Sequence, residues 1–297
     1  VIVWHVDEAR PSAVLRGHQD FVEGVSWSPD GTRIATGSGD HTIRIWDVES
    51  GRQELLIRGH RDRVWNVAWS PDGTALASAS ADGTARVFSP VNAEETAVLR
   101  GHSDYVWGVV WSPDGKQLAT ASEDGTARIW DLVPHGAEER LLPMTGGCVR
   151  TVACSPAGRI AAASDDGTVR VWDPADDRPV AVLRAHSSTP RDLAWSPDSR
   201  RILSGSTDRT ALLWSCDTPA SKNRIDHDGA IVESVAWSPD GCRVATGGQD
   251  RTIRVWDAED VSPLAVLAGH QDWVVALAWS PSGRFIASTS DDRTARV

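Results

Sequence analysis

Four cysteines are spread over 297 residues, and nothing in the spacing of Cys148, Cys154, Cys216 and Cys242 pairs them with each other or with histidines. That excludes a disulfide framework and a zinc site, so reduced, buried thiols are expected. Basic charge is also short. Lysine and arginine number 30 against 41 acidic residues, and a formal net charge of -11 argues against a nucleic-acid partner, which needs a basic stripe. No apolar run approaches the length of a membrane span, and the opening VIVWHVDEAR has neither the basic region nor the apolar stretch of a signal peptide. The expected location is therefore the cytoplasm, with no membrane partner. There is no glycine-rich phosphate loop, metal-spaced histidine pair or isolated cysteine-histidine arrangement, so neither cofactor nor metal is expected. A helical hydrophobic period is absent as well.

What the chain has in abundance is repetition. Residues 101–131, GHSDYVWGVVWSPDGKQLATASEDGTARIWD, are one copy of a unit marked by Gly17-His18, Gly59-His60, Gly101-His102 and Gly269-His270, with Ala185-His186 as a near copy. These histidines are separated by 42 residues or multiples of 42. A period of about 40 to 45 residues is the signature of a propeller blade of four strands, each blade needing its neighbours to bury its faces. Inside the unit, Ser112-Pro113-Asp114-Gly115 supplies proline where a turn wants a fixed φ and glycine where it wants a positive one, and Asp124-Gly125 supplies the next hairpin. Residues 117–122 and 126–130 alternate as strands do, and the fourth strand is the apolar run before each Gly-His, such as residues 97–99 or 265–267. Ser-Pro turns at Pro29, Pro71, Pro113, Pro156, Pro197, Pro239 and Pro281 predict seven blades, an all-β ring of four-stranded antiparallel sheets whose closure removes open edges.

Gly-His, Ser-Pro-Asp-Gly, a turn Asp and Trp-Asp together resemble the WD-repeat family of β-propellers, over nearly the whole chain. The resemblance implies a hydrogen-bonded relay inside each blade: His18, Thr36, Asp40 and Trp46; His102, Thr120, Asp124 and Trp130; His186, Ser204, Asp208 and Trp214. His60, Ser78 and Asp82 end in Phe88, which cannot donate, and His270, Ser288 and Asp292 have no Trp of their own. The fourth repeat has Met144-Thr145 in place of Gly-His and Ala162 in place of the hydroxyl, while the sixth has His227-Asp228 shifted by one. Those two blades are expected to be the less rigid. A Ser/His/Asp set also suggests a nucleophile triad, but a catalytic constellation is unique, and this one recurs from blade to blade to satisfy buried turns. The chain is therefore read as no enzyme.

The ends of the chain carry a separate message. Residues 1–18 match the third-strand segment IRIWDVESGRQELLIRGH position for position, so one domain spanning 1–297 is expected, its N-terminal segment closing the last blade. In that arrangement residues 13–15 lie outermost and Trp4 competes with residues 294–297 for one strand position. The absence of a starting Met and the cut ends suggest a piece of a longer protein, and the family resemblance suggests a trailing region of a bacterial signalling ATPase or protein kinase.

Of 15 tryptophans, Trp27, Trp69, Trp111, Trp195, Trp237 and Trp279 fall in the first strand of a repeat and Trp4, Trp46, Trp130, Trp172, Trp214 and Trp256 in the third, and these twelve read as structural. Trp65, Trp107 and Trp273 are left over, each beside the Val that follows the Gly-His turn, at the entrance to the innermost strand. In propellers that resemble this one, that entrance opens on the top face around the central channel. Phe21, Glu23, Arg63, Tyr105, Arg150, Arg191 and Glu233 share it, and the residues before each turn Asp add Glu123, Asp165, Gln249 and Asp291. Aromatics interleaved with arginines form binding hot spots, because flat side chains release much water and Arg forks carboxylates. Two readings stand: a recognition surface for a protein or peptide, or side chains stacked on one another as a packed rim. A monomeric, non-enzymatic scaffold follows from the first, with a sensory or autoinhibitory module of a larger signalling protein as the alternative.

Overall fold

The computed structural model describes residues 1–133, 136–142, 144, 146–173, 176, 178–184, 186–216 and 222–292. Each period of the sequence becomes an antiparallel sheet of four strands, and seven such sheets make an all-β propeller. In the third blade Val106–Trp111 is innermost, followed outward by Gln117–Ser122, Ala127–Val133 and Gly136–Leu142. Gly115 and Gly125 take φ values of 70° and 80° in the two inner turns, a left-handed conformation that glycine adopts without a Cβ penalty. The Ser112 hydroxyl closes the first of these turns by accepting the Gln117 N–H at 2.9 Å and donating to Asp114 at 2.7 Å.

Each innermost strand packs against the next, and the last, Val274–Trp279, packs against the first, Val22–Trp27, so the ring is closed. The first-strand tryptophans are wedged between blades. Trp27 donates its indole N–H to the Ala278 carbonyl at 3.1 Å, Trp111 to Ala68 at 2.9 Å and Trp195 to Ala153 at 3.3 Å. In the other three, an arginine of the preceding blade lies over the ring: Arg33 at 4.7 Å from Trp69, Arg201 at 4.7 Å from Trp237 and Arg243 at 5.1 Å from Trp279. Those three indole N–H groups are buried without a hydrogen-bond partner, so cation-π stacking stands where the carbonyl bond stands elsewhere. The fourth blade has Cys154 at this position.

The seventh blade is built from both ends of the chain: Val274–Trp279, Phe285–Ser290, then Ile2–His5 and, outermost, Arg10–Val14. Ile2 lies opposite Ser288 and Trp4 opposite Ile286, and Val1, Ile2, Val3, Trp4 and Leu15 are buried. Residues 294–297, the expected competitors of Trp4, lie outside the described residues. The expectation of buried thiols needs correction: Cys148, Cys154 and Cys216 are half-buried and Cys242 is exposed, because Cys148 and Cys242 sit in turns while Cys154 and Cys216 only edge the apolar clusters between blades. Among the described residues no helix is long and apolar enough to cross a membrane.

Candidate binding face

The face that carries the blade-to-blade connections is held by the relays. In the third blade His102 Nδ1 lies 2.9 Å from Asp124 and Nε2 lies 2.7 Å from the Thr120 hydroxyl, which also accepts the Trp130 indole N–H at 2.8 Å. His18, Thr36, Asp40 and Trp46 make the same set of bonds, as do His186, Ser204, Asp208 and Trp214. His60 bonds Asp82 and Ser78 although Phe88 donates nothing, and His270 bonds Asp292 and Ser288. Ser288 takes its indole bond from Trp4 at 2.8 Å, a partner 284 positions away in the chain. The turn carboxylates collect further donors. Asp124 accepts the Ser103 N–H and both donors of Thr126, and against burial, which would raise it, the bonds from Thr126 and His102 hold its carboxyl down to about 2. Against the same burial, His18 and Thr42 hold Asp40, and His60 and Thr84 hold Asp82, well below the usual carboxylate range.

Two blades depart from this pattern. In the fourth, Asp166 takes Thr168 and an ion pair with Arg170 at 3.1 Å, Arg170 also reaches the Met144 sulfur at 3.9 Å, and the Trp172 indole N–H is buried beside Ala162 without a partner. Thr145 lies outside the described residues, as does Ala185. In the sixth, Thr246 accepts the Trp256 indole at 2.9 Å, but His227 makes no hydrogen bond with either ring nitrogen.

On the rim, Trp65 and Trp107 stack with centroids 4.7 Å apart, and Tyr105 meets Trp107 edge-on at 6.0 Å. Arg63 lies 5.8 Å over Trp65 and Arg150 lies 4.8 Å over Trp107. Glu123 accepts the Trp107 indole N–H at 2.7 Å and pairs with Arg150 at 3.1 Å, while Arg150 also holds Asp165 at 3.1 Å. The second, third and fourth blades thus form one continuous patch in which Arg150, Glu123 and Asp165 are paired and Arg63 rests on Trp65. Arg191 reaches Glu233 at 3.6 Å, and Gln249 donates to Glu233 at 3.2 Å. Phe21 is half-buried, and Trp273 stands apart in the seventh blade, 42% exposed.

The opposite sector is acidic. Burial, and after it the charge of Asp291, pushes Glu23 up to about 7, while burial followed by the charges of Asp272 and Glu233 pushes Asp291 up to about 6. Among the described residues neither carboxylate has an ion-pair partner. Glu23, Trp65, Trp107, Arg150, Arg191 and Glu233 line one cavity of about 490 Å³ at the mouth of the channel.

One set of channel residues escaped the sequence reading. Asn66 accepts the Val109 N–H of the next blade at 3.4 Å, Asp192 accepts that of Val235 at 2.9 Å, and Ser234 accepts that of Leu277 at 3.0 Å. All three occupy one repeat position, where Gly24, Gly108 and Ala276 stand in other blades, and that swap of small for polar was the available signal. Burial pushes the Asp192 carboxyl up to about 6.

A family model described as WD domain, G-beta repeat matches residues 9–47, 51–89, 93–131, 140–173, 177–215, 221–257 and 261–297. The chain belongs to the WD-repeat family. The first six matches each span a blade boundary, running from the outer strand of one sheet to the third strand of the next, and the end of the seventh lies outside the described residues. WD-repeat propellers are generally non-catalytic scaffolds for protein interaction. No curated protein matches the chain.

Proposed function

We propose that this WD-repeat propeller binds a protein or peptide on the face bearing Trp65 and Trp107, and that the partner presents a lysine or arginine to the channel mouth. The observation that carries this reading is the division of the mouth. On one side aromatic rings and arginines form a packed patch, and on the other Glu23 and Asp291 are half-buried without an ion-pair partner among the described residues, Arg63 acting on Glu23 only from a distance. Two unpaired carboxylates, each raised in proton affinity by burial and by neighbouring negative charge, cost the folded chain free energy, which an incoming cation would recover. The Trp65–Trp107 stack offers the partner's stem a flat apolar wall, and each cation-π contact contributes about 0.5 to 2 kcal/mol.

The contacts within the stack also fit a packed rim, because Arg150 and Glu123 engage Trp107 from within the chain. Replacing Trp65 and Trp107 together by Ala separates the two readings. Neither side chain belongs to a blade core, so the double variant is expected to keep its melting temperature and to lose a captured partner. An unfolded variant favours the packed rim; a folded one that still captures the same partner moves the binding surface elsewhere.

A further inference from the structure

The sixth blade departs from the others at a single turn. His18, His60, His102, His186 and His270 each stand four residues before the innermost strand, whereas His227 stands five before Val232. The extra residue changes the path. Asp228 takes a left-handed φ of 48°, and the Ile231 carbonyl presses so closely on the second strand that a Cβ at Gly248 would lie 2.0 Å from its oxygen. All six other blades carry a serine there, as at Ser122, whose hydroxyl caps the Asp124 N–H at 3.1 Å and donates to the Tyr105 carbonyl at 2.8 Å; Gly248 offers neither bond.

His227 is wholly buried beneath this turn, and neither ring nitrogen has a hydrogen-bond partner. The groups facing it are Asp250, 3.3 Å from Nδ1, Arg254 on the third strand, Asp228 in its own turn and the backbone of Thr246. Asp250 is already engaged by Arg254 at 3.1 Å, and Arg254 also holds Asp228 at 2.6 Å. A proton on the imidazole would therefore meet a cation beside its nearest carboxylate, in a site without solvent.

We propose that the turn at 226–231 is an acid-released latch on this face of the ring, closed over an uncharged His227 and opened when the imidazole takes up a proton. Burial, the largest influence, lowers the proton affinity of His227 in the closed turn; Asp250, the Thr246 backbone and Asp228 oppose it and Arg254 adds to it, while in the open turn the ring returns to its ordinary value of 6.5. The open form thus binds more protons below pH 6.5, so closure is favoured above that value and weakens as pH falls. Val232–Trp237 begins directly after the turn and carries Glu233 to the rim, which places the loosened segment beside the channel mouth. This inference goes beyond the proposed recognition of a partner and does not depend on it.

Hydrogen exchange of the full chain, corrected for the intrinsic effect of pH, tests the latch. Between pH 7.5 and 5.5 the opening constant across residues 226–232 should rise, by up to about tenfold, the most that one exposed imidazole titrating near 6.5 supplies. His227→Leu should abolish that rise while residues 59–64 of the second blade respond as in the unaltered chain. An undiminished rise in the variant, or none in the unaltered chain, overturns the proposal. Should the variant fail to fold, the ring-proton resonances of His227 decide: a midpoint below 6.5 supports the latch, and one at or above 6.5 refutes it.

Discussion

A single side chain in this ring is worth what its partners make of it. Asp124 accepts from His102, Ser103 and Thr126, so Asp124→Ala strands a buried imidazole and two turn N–H groups, and we expect a loss of about 1 to 3 kcal/mol. Asp166 has Thr168 and Arg170 but no histidine, and Asp166→Ala should cost less in a denaturant titration; equal losses would disprove the relay assignment. Glu23 behaves in the opposite sense. Its carboxyl is raised when folded, so its contribution to stability is complete below about 4.5 and is lost as pH rises through about 7. Glu23→Gln should therefore stabilise the chain by about 1 to 3 kcal/mol at pH 8 and leave it unchanged at pH 4, as read from thermal melts at both values. If binding uses this carboxylate, the same variant weakens capture of a cationic partner while it strengthens the fold, the usual opposition between function and stability. The relay bonds were legible because they repeat at fixed offsets of 18 and 22 residues. The pairing of Arg150 with Glu123 was not, since Glu123 belongs to the preceding blade and becomes its neighbour only when the ring stacks, whereas Asp165 lies across Arg150's own hairpin.

Turns decide how well each hairpin closes. After the turn Asp, the first four blades use Gly at 83, 125 and 167 but His41 in the first, and the fifth and sixth use Arg209 and Arg251, all three non-glycines held at φ between 66° and 72°. A left-handed conformation costs an L-residue about 1 to 2 kcal/mol, partly offset in the unfolded chain by the greater freedom of glycine. Each of His41→Gly, Arg209→Gly and Arg251→Gly should thus stabilise by about 0.5 to 1 kcal/mol, and a loss on chemical denaturation would show that the side chain contributes more than its strain costs. Strand order and turn type were readable from the sequence because Ser-Pro-Asp-Gly and Asp-Gly act over four residues. The displaced turn of the sixth blade was visible only as a shift of one. Its physical content, an unbonded His227 and a carbonyl against Gly248, depends on a backbone path that no local pattern specifies.

At the scale of the molecule, everything rests on the seventh blade. Removing residues 1–16 deletes two of its four strands along with the buried side chains of Ile2, Val3, Trp4 and Leu15, and leaves the Ser288 hydroxyl without its indole donor. We expect the melting temperature to drop by more than about 10 °C, since a loss of several kcal/mol in a chain of this size shifts it by roughly 2 to 4 °C per kcal/mol; an unchanged melt would show that the ring closes without this segment. The same interleaving imposes an order in time. On the ribosome the first strand cannot meet its partner until Phe285–Ser290 has been made, roughly 15 to 60 s later at ordinary rates of synthesis. Earlier blades can stack on their neighbours as they emerge, but the segment around Ile2–His5 must wait unpaired, an apolar strand with two free edges. Throughout that interval the segment stays exposed, which makes it a natural client of a chaperone and a place where two chains translated side by side would entangle.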